Sequence, residues 1–430
     1  MWSTDKLNKQ IEVFGQLNLF HDLYGDSEGY QLALTRISKL ISKADFEVTH
    51  LFSAPGRTEL GGNHTDHNLG KVFCAAVRND TLAAVAKRSD GKIVLRSEGF
   101  SEVFQLNISD LAPKADEVGN TKALIRGILA GIEQKGGTCG GFSAEITSEV
   151  GMGSGLSSSA SFEVLIGTIV NHLYNEDRFP ATKIAEIAQF AENEYFGKPC
   201  GLMDQMASAV GGVLSIDFEN PQSPAIRQVE LDLEAEDFVL LVINTGSSHA
   251  DLTPAYASIP MEMRAVAQEM GVENLREMEE SVLQENIASL RNKLGDRAVL
   301  RALHFYAENR RVDAMVKALE VGDFEAYLRE VTASGRSSQN ILQNSIPPNS
   351  DGKDQGLTYA LGLSQIFFEE KGRGLARVHG GGFAGTIQAY IHKADLEDYL
   401  SLISRTLGSH STEILTIRHH GATPILSLAR

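Results

Sequence analysis

Cysteine is scarce in this chain. Cys74, Cys139 and Cys200 lie far apart and form no C-x-x-C pair, which excludes a disulfide framework and a zinc cluster and points to a reduced compartment. No apolar run approaches ~18 residues, and Met1-Trp2-Ser3-Thr4-Asp5-Lys6 lacks the basic-then-apolar order of a secretory signal. A cytoplasmic protein is expected. Positive charge is also short: 39 Lys and Arg face 56 Asp and Glu, for a formal net charge of −17. Counterion release needs clustered Lys and Arg, so neither nucleic acid nor an anionic membrane is an expected partner. An anion can still be bound locally where backbone N–H groups and a metal supply the positive field.

Three familiar loops are missing too. No G-x-x-x-x-G-K-[ST] occurs, so there is no P-loop lysine. The dinucleotide fingerprint G-x-G-x-x-G fails at Leu156, and a nucleophile elbow around Ser154 fails at Met152.

What is present is a different glycine and serine loop, Glu149 to Ala160. It joins an alternating segment, Phe142 to Val150, to a run with Phe162, Leu165, Ile166, Ile169, Val170 and Leu173 at helical spacing. Gly151, Gly153 and Gly155 let the backbone turn tightly, and the serines stand at a helix N-terminus, where unpaired N–H groups favour an anion. Taken alone, the stretch reads either as a phosphate cradle or as an ordinary turn with a serine N-cap.

At 430 residues two domains are expected, and 42% apolar with 22% charged residues fits a globular protein. Residues 6–45 read as two helices broken between Gly25 and Gly29. Ser53 to Gly70 reads as a loop holding Arg57, Glu59, His64, Asp66 and His67, a place where polar side chains converge on a small molecule. Thr81 to Ser97 alternates around Ser89-Asp90-Gly91 and reads as a hairpin. Helices are expected near Thr121 to Gln134 and over Thr182 to Tyr195, and a strand over Phe238 to Thr245. The charged helices between Pro260 and Arg329 read as solvated faces. Gly380, Gly381 and Gly382 are expected to link a helix to a strand, Thr386 to His392. Glu192 and Asp204 flank a Gly-rich break, placed to hold a metal and to meet a substrate hydroxyl.

Together, in this order and over nearly the whole chain, these motifs resemble the small-molecule kinases that include galactokinase, homoserine kinase and mevalonate kinase. Pro55-Gly56-Arg57 through His64-Thr65-Asp66 resembles the galactokinase signature, and Cys200-Gly201-Leu202-Met203-Asp204-Gln205 its catalytic segment. The resemblance implies an α+β, two-domain GHMP kinase fold, with a ribosomal-protein-S5-like lobe over 1–213 and a ferredoxin-like lobe over 214–430. It also implies ATP-dependent phosphorylation of the C1 hydroxyl of galactose, by a monomer or weak homodimer. Gly153, Ser154, Gly155, Leu156, Ser157, Ser158 and Ser159 would wrap the ATP phosphates, with Ser159 and Glu192 on Mg²⁺. Asp204 would polarise or take the sugar proton, and Arg57 would stabilise the developing charge. Asn63, His64, Thr65, Asp66, Gly201 and Tyr256 would line the sugar, and glycines 380–382 would brace the phosphate loop.

Two departures bear on the sugar. Galactokinases have Asn where this chain has Glu59, and Glu, beside the sugar C6 hydroxyl, where it has Asn63. A neutral amide there would stop repelling a C6 carboxylate, so galacturonate or another C6-modified galactose is a second candidate substrate. The segment Ala257-Ser258-Ile259-Pro260 lacks the family's basic pair. A non-catalytic sugar sensor of this family would lack the Ser-Ala pair that Ser159-Ala160 supplies here, which favours an enzyme.

Overall fold

The computed structural model describes residues 4–13, 15–25, 27–151, 153–198, 200–247, 252–348, 350 and 352–428. Met152, Pro199 and residues 248–251, each inside or beside a motif singled out above, lie outside the described residues. Seven strands come first: β1 (His50–Gly61), β2 (Lys71–Arg88), β3 (Lys92–Ser97), β4 (Phe104–Asn107), β5 (Gly141–Ser148), β6 (Val213–Asp217) and β7 (Ala225–Val229). Then follow β8 (Phe238–Asn244), β9 (Leu375–Val378), β10 (Thr386–His392), β11 (Thr412–Leu415) and β12 (Thr423–Ser427). One sheet runs β12-β1-β2-β5-β3-β4 with β6 on β2 and β7 on β6, and the other runs β11-β8-β10-β9. The lobe boundary expected after residue 213 falls inside β6, which pairs with β2.

β1 corrects the sequence reading of a loop. Its burial covers both faces from Leu51 onwards, because helices Ser158–Asn175 and Met203–Val210 pack on it, and helices Asp296–Glu320 and Phe324–Ser337 also reach it. A strand covered on both sides has no alternation to read, and here Pro55, Gly56 and Gly61 disguise it further. The hairpin expected over 81–97 is also absent. β5 lies between the two strands, with Ala144 paired to Val85 on one side and to Leu95 on the other. The turn at Gly91 (φ +67°) therefore steps over the end of a third strand. The helix expected to Tyr195 is α-helical over Ala181–Phe190 and widens into a π-turn, Ala191–Phe196, that carries Glu192.

Two cores place the site. Leu60, Phe73, Leu156, Leu240, Val242, Met315, Tyr327 and Tyr390 are buried together, so one core joins both sheets and includes a residue of the serine loop. Among the described residues up to Lys43 there are three helices rather than two, Thr4–Val13, Leu17–Tyr24 and Ser27–Lys43, with an extra break at Gly15 (φ +66°). They cover the outer edge through Leu34, Ile37, Leu82 and Leu426.

Buried Asp80 ties this cap down. Its carboxylate accepts from Arg36, Ser53, Tyr24 Oη at 3.1 Å and Arg418 Nη1 at 3.4 Å, while Arg36 also reaches Glu149 at the mouth of the serine loop. Asp80→Ala leaves Arg36 and Arg418 without their shared counter-charge and should cost about 3–5 kcal/mol. Urea denaturation against wild type measures this, and an unchanged midpoint would show that the cluster carries no stability.

Candidate active site

The site is built where β1, the serine loop and helix Met203–Val210 meet. Arg57 stands mid-strand, its N–H bonded to Leu156 O at 2.9 Å and its Nη1 donating to Gly155 O. Its Nε and Nη2 donate to Asp204 Oδ1 and Oδ2 at 2.5 and 2.7 Å, and Ser157 Oγ donates to the same Oδ2 at 2.7 Å. Burial alone would raise the Asp204 pKa, but Arg57 and Ser157 reverse the effect and hold it below the usual carboxylate range. Asp204 is therefore ionised at neutral pH.

The serine loop is shaped by position rather than by side-chain contacts. Gly153 and Gly155 have φ of +76°, and a β-carbon on Gly155 would collide with Thr386 Oγ1 and His379 Nδ1. Ser157 is left-handed too, at φ +62°. Leu156 is buried in the core and offers only its backbone, while Ser154 closes the loop by donating to Gly151 O at 2.7 Å. The first turn of helix Ser158–Asn175 presents the N–H groups of Ser158, Ser159 and Ala160, which a helix cannot pair internally. Ser158 and Ser159 are partly exposed.

Glu192 is 2% exposed, with Oε1 on Lys198 Nζ and Oε2 on Gln205 Nε2, both at 2.9 Å. Gln205 Nε2 also reaches Glu163 Oε2 at 3.2 Å. Burial and the charge of Glu192 push Glu163 well above the usual carboxylate range.

The residues expected at the sugar divide into two kinds. Asp66 faces the break before Asp204: its carboxylate lies against Gly201, where any side chain would overlap it, and its Oδ1 accepts from His67 N at 3.1 Å. His64 (φ +59°) donates Nε2–H to Gly381 O at 2.9 Å, and burial lowers its pKa to about 3, so the ring is neutral. Tyr256 packs on Gly381 and Phe383 and donates to Gly382 O at 3.0 Å. Thr65 and Asn63 are wall rather than lining. The Thr65 hydroxyl is held between Gly62 O and Lys71 O at 2.9 and 2.6 Å. Asn63 Nδ2 donates to Glu59 at 3.0 Å and Gly380 O at 2.8 Å, and its Oδ1 accepts from Asn344 Nδ2 at 2.9 Å and Ser338 Oγ at 3.3 Å. Every hydrogen-bonding position of that amide is thus spent inside the protein.

The glycine turn is also reassigned. It links β9 to β10, two strands, and its carbonyls hold Asn63, His64 and Tyr256, so it braces the loop that carries Asn63 and His64. The serine loop is backed instead by His379 and Thr386, at the turn's flanks. Sequence reasoning missed these two, as it missed Arg377, whose Nη2 meets Glu59 at 2.6 Å. It also took helix Asp296–Glu320 for a solvated face. Arg301, His304 and Glu308 are buried there, with His304 Nε2 on Asn63 O at 2.9 Å and Glu308 accepting from Gly62 N at 3.2 Å. Their spacing, i, i+3 and i+7, was the available signal.

With this geometry in hand, similarity to known proteins is informative. The GHMP kinases N terminal domain model matches residues 123–212, and the galactokinase galactose-binding signature matches residues 43–87. Galactokinase of Streptomyces coelicolor is 32% identical over 355 residues, 82% of this chain and 87% of that one. Galactokinase of Lacticaseibacillus paracasei is 30% identical over 370 residues, 84% and 89% of the two chains. Among solved structures, Lactococcus lactis galactokinase complexed with galactose superposes with a TM-score of 0.74 at 23% identity, covering 96% of this chain and 99% of the other. Methanococcus jannaschii mevalonate kinase follows the same fold at a TM-score of 0.59 and 15% identity, covering 87% and 99%. The α+β fold is that of the GHMP kinases, and this chain belongs to the galactokinase family.

Proposed function

We propose that this enzyme transfers the γ-phosphoryl group of ATP to the C1 hydroxyl of galactose. The observation that carries the reading is the single guanidinium of Arg57, which binds Asp204 with one edge and the Gly155 carbonyl with the other. It fixes the carboxylate that meets the acceptor and the loop that meets the phosphates in one rigid unit. Phosphoryl transfer asks for such positioning and for electrostatic stabilisation, with little covalent chemistry from the protein.

Asp204, held ionised, is a weak base towards a sugar hydroxyl. It orients that hydroxyl and receives the proton only once the new O–P bond has made the hydroxyl acidic. Arg57 offsets the charge that develops on the transferring group. Asp66, His64 and Tyr256 would hold the sugar, with the first-turn N–H groups of Ser158 and Ser159 towards the phosphates.

Magnesium fits the donor set. A nucleotide-borne Mg²⁺ takes one or two protein oxygens and draws the rest from phosphates and water, neutralising the β- and γ-phosphate charge. Glu192, buried and ionically paired to a partly exposed lysine, and Ser159, whose hydroxyl has no hydrogen-bond partner among the described residues, would be those two. We further place the lobe boundary after Val229, where β7 leaves the first sheet, with β12 returned to it. Three unpaired cysteines support a cytoplasmic setting.

The galacturonate alternative is not favoured: the relatives are galactokinases, and Asn63 has no free group with which to read C6. Glu59 and Asn63 act as a pair, a carboxylate on an amide, so Asn63→Glu sets two buried carboxylates together and should destabilise the fold by about 3 kcal/mol. The exchange E59N/N63E should recover at least half of that in thermal melts. A double variant no more stable than N63E would break the pairing idea.

Asp204→Asn should lower kcat about 10²–10⁴-fold while galactose and ATP affinities by calorimetry stay near wild type. Full turnover in an ADP-release assay would remove Asp204 from the chemistry. Gly201→Ala pushes the Asp66 carboxylate aside and should raise the KM for galactose about 10-fold or more, with ATP KM unchanged. An unaltered galactose KM would separate Asp66 from the sugar.

A further inference from the structure

Glu192 is gripped from two sides by partners of opposite character. Its Oε2 accepts from Gln205 Nε2 at 2.9 Å, and Gln205 is buried beside Asp204 in helix Met203–Val210, its amide also tied to Glu163. Its Oε1 meets Lys198 Nζ at the same 2.9 Å, yet the Lys198 side chain is 62% exposed against 3% for that of Glu192. Lys198 leaves the chain just after Gly197 (φ +81°), its own N–H bonded to Glu192 O at 3.1 Å. Its charge acts to lower the pKa of both Asp204 and Tyr256. One oxygen is therefore fixed by a rigid amide, and the other is covered by a cation on a long flexible tether.

We propose that Lys198 is a built-in counter-ion that occupies the Glu192 oxygen a divalent cation takes, while Gln205 holds the second oxygen so that the carboxylate keeps its aim when Lys198 leaves. The inference rests on Glu192 as a metal ligand. An unpaired Glu192 would sit buried beside a second carboxyl group, Glu163, with its charge uncompensated whenever no metal is bound. Lys198 supplies that compensation and competes with the ion, so it sets the metal affinity without touching the sugar. Gln205 orients the ligand from behind, the role of an outer-shell partner in metal sites.

Mn²⁺ binding, read by electron paramagnetic resonance with a non-hydrolysable ATP analogue, tests this apart from turnover. Lys198→Met removes the competitor and should tighten Mn²⁺ about two- to fivefold, the range of a partly exposed ion pair. Lys198→Arg should bind it no tighter than wild type. Gln205→Met should weaken it about 10–100-fold. Nucleotide affinity in EDTA should be the same for K198M and wild type. Unchanged or weaker Mn²⁺ binding by K198M overturns the proposal, as does a loss of EDTA-measured nucleotide affinity, which would make Lys198 a phosphate ligand. Glu192→Gln separates the two levels. If E192Q keeps wild-type Mn²⁺ affinity, the metal reading itself fails; if E192Q loses it while K198M matches wild type, only the counter-ion is lost.

Discussion

Burying a guanidinium is tolerable only if its donors find partners, and Arg57 finds them in two distant segments of the chain. Asp204 takes the forked pair of N–H groups, Gly155 O takes a third, and the backbone of β1 is locked to Leu156 at the same point. Each partner is itself fixed: Asp204 in the first turn of a helix, Gly155 by two left-handed glycines, Leu156 by the core. Bidentate pairing sets orientation as well as distance. The relative placement of strand, loop and helix therefore follows from one side chain, and the half-buried Asp204 carboxylate supplies the counter-charge of the buried Arg57.

The second sheet completes the site from behind. His379 sits between Thr58 and Thr386, its two ring nitrogens 3.0 Å from their hydroxyls, and Gln388 Nε2 donates to Thr58 Oγ1 and Glu59 O at 2.6 and 3.0 Å. Burial and the nearby Arg57 and Arg377 charges lower the His379 pKa to about 3, so this strap is neutral and does not compete for Asp204. Because Thr58 and Glu59 directly follow Arg57, β9 and β10 grip the strand that carries the guanidinium. The lobes are joined through the active-site strand itself.

Local patterns were legible where one physical cause acts alone. Helix Thr121–Gln134 appears over the expected segment, and Asn120 caps it, its Oδ1 accepting from Lys122 N at 2.7 Å. Strand Thr386–His392 likewise matches its apolar run. Reading failed where tertiary burial overrides composition. β1 looks like a loop because both its faces are covered, and β5 enters between β2 and β3 from some 45 residues away, which no turn signal reveals. Among site residues, Arg57, Asp204, Asp66 and Gly201 announced themselves by motif. His379, Arg377 and His304 did not, since each serves by holding another residue, and such roles leave no spacing in the chain beyond the buried stripe on helix Asp296–Glu320.

Charge accounting in the cleft explains how so acidic a protein can accept a nucleotide. Arg57 offsets Asp204, Lys198 offsets Glu192, and burial with the Glu192 charge raises Glu163 well above the usual carboxylate range, which disfavours a further charge there. The neutral rings of His64 and His379 add none either. Apart from Asp66, the charged side chains named here are thus paired, against a chain charge of −17. On the function proposed above, the attraction for an anionic tail would come from groups that need no counter-charge: the unpaired N–H groups at the start of helix Ser158–Asn175, and a cation carried by the nucleotide. Both are short-range, so binding depends on close fit of the loop backbone to the phosphates. That is the physical reason for glycine at 153 and 155, and for a loop whose side chains face inward or close upon themselves.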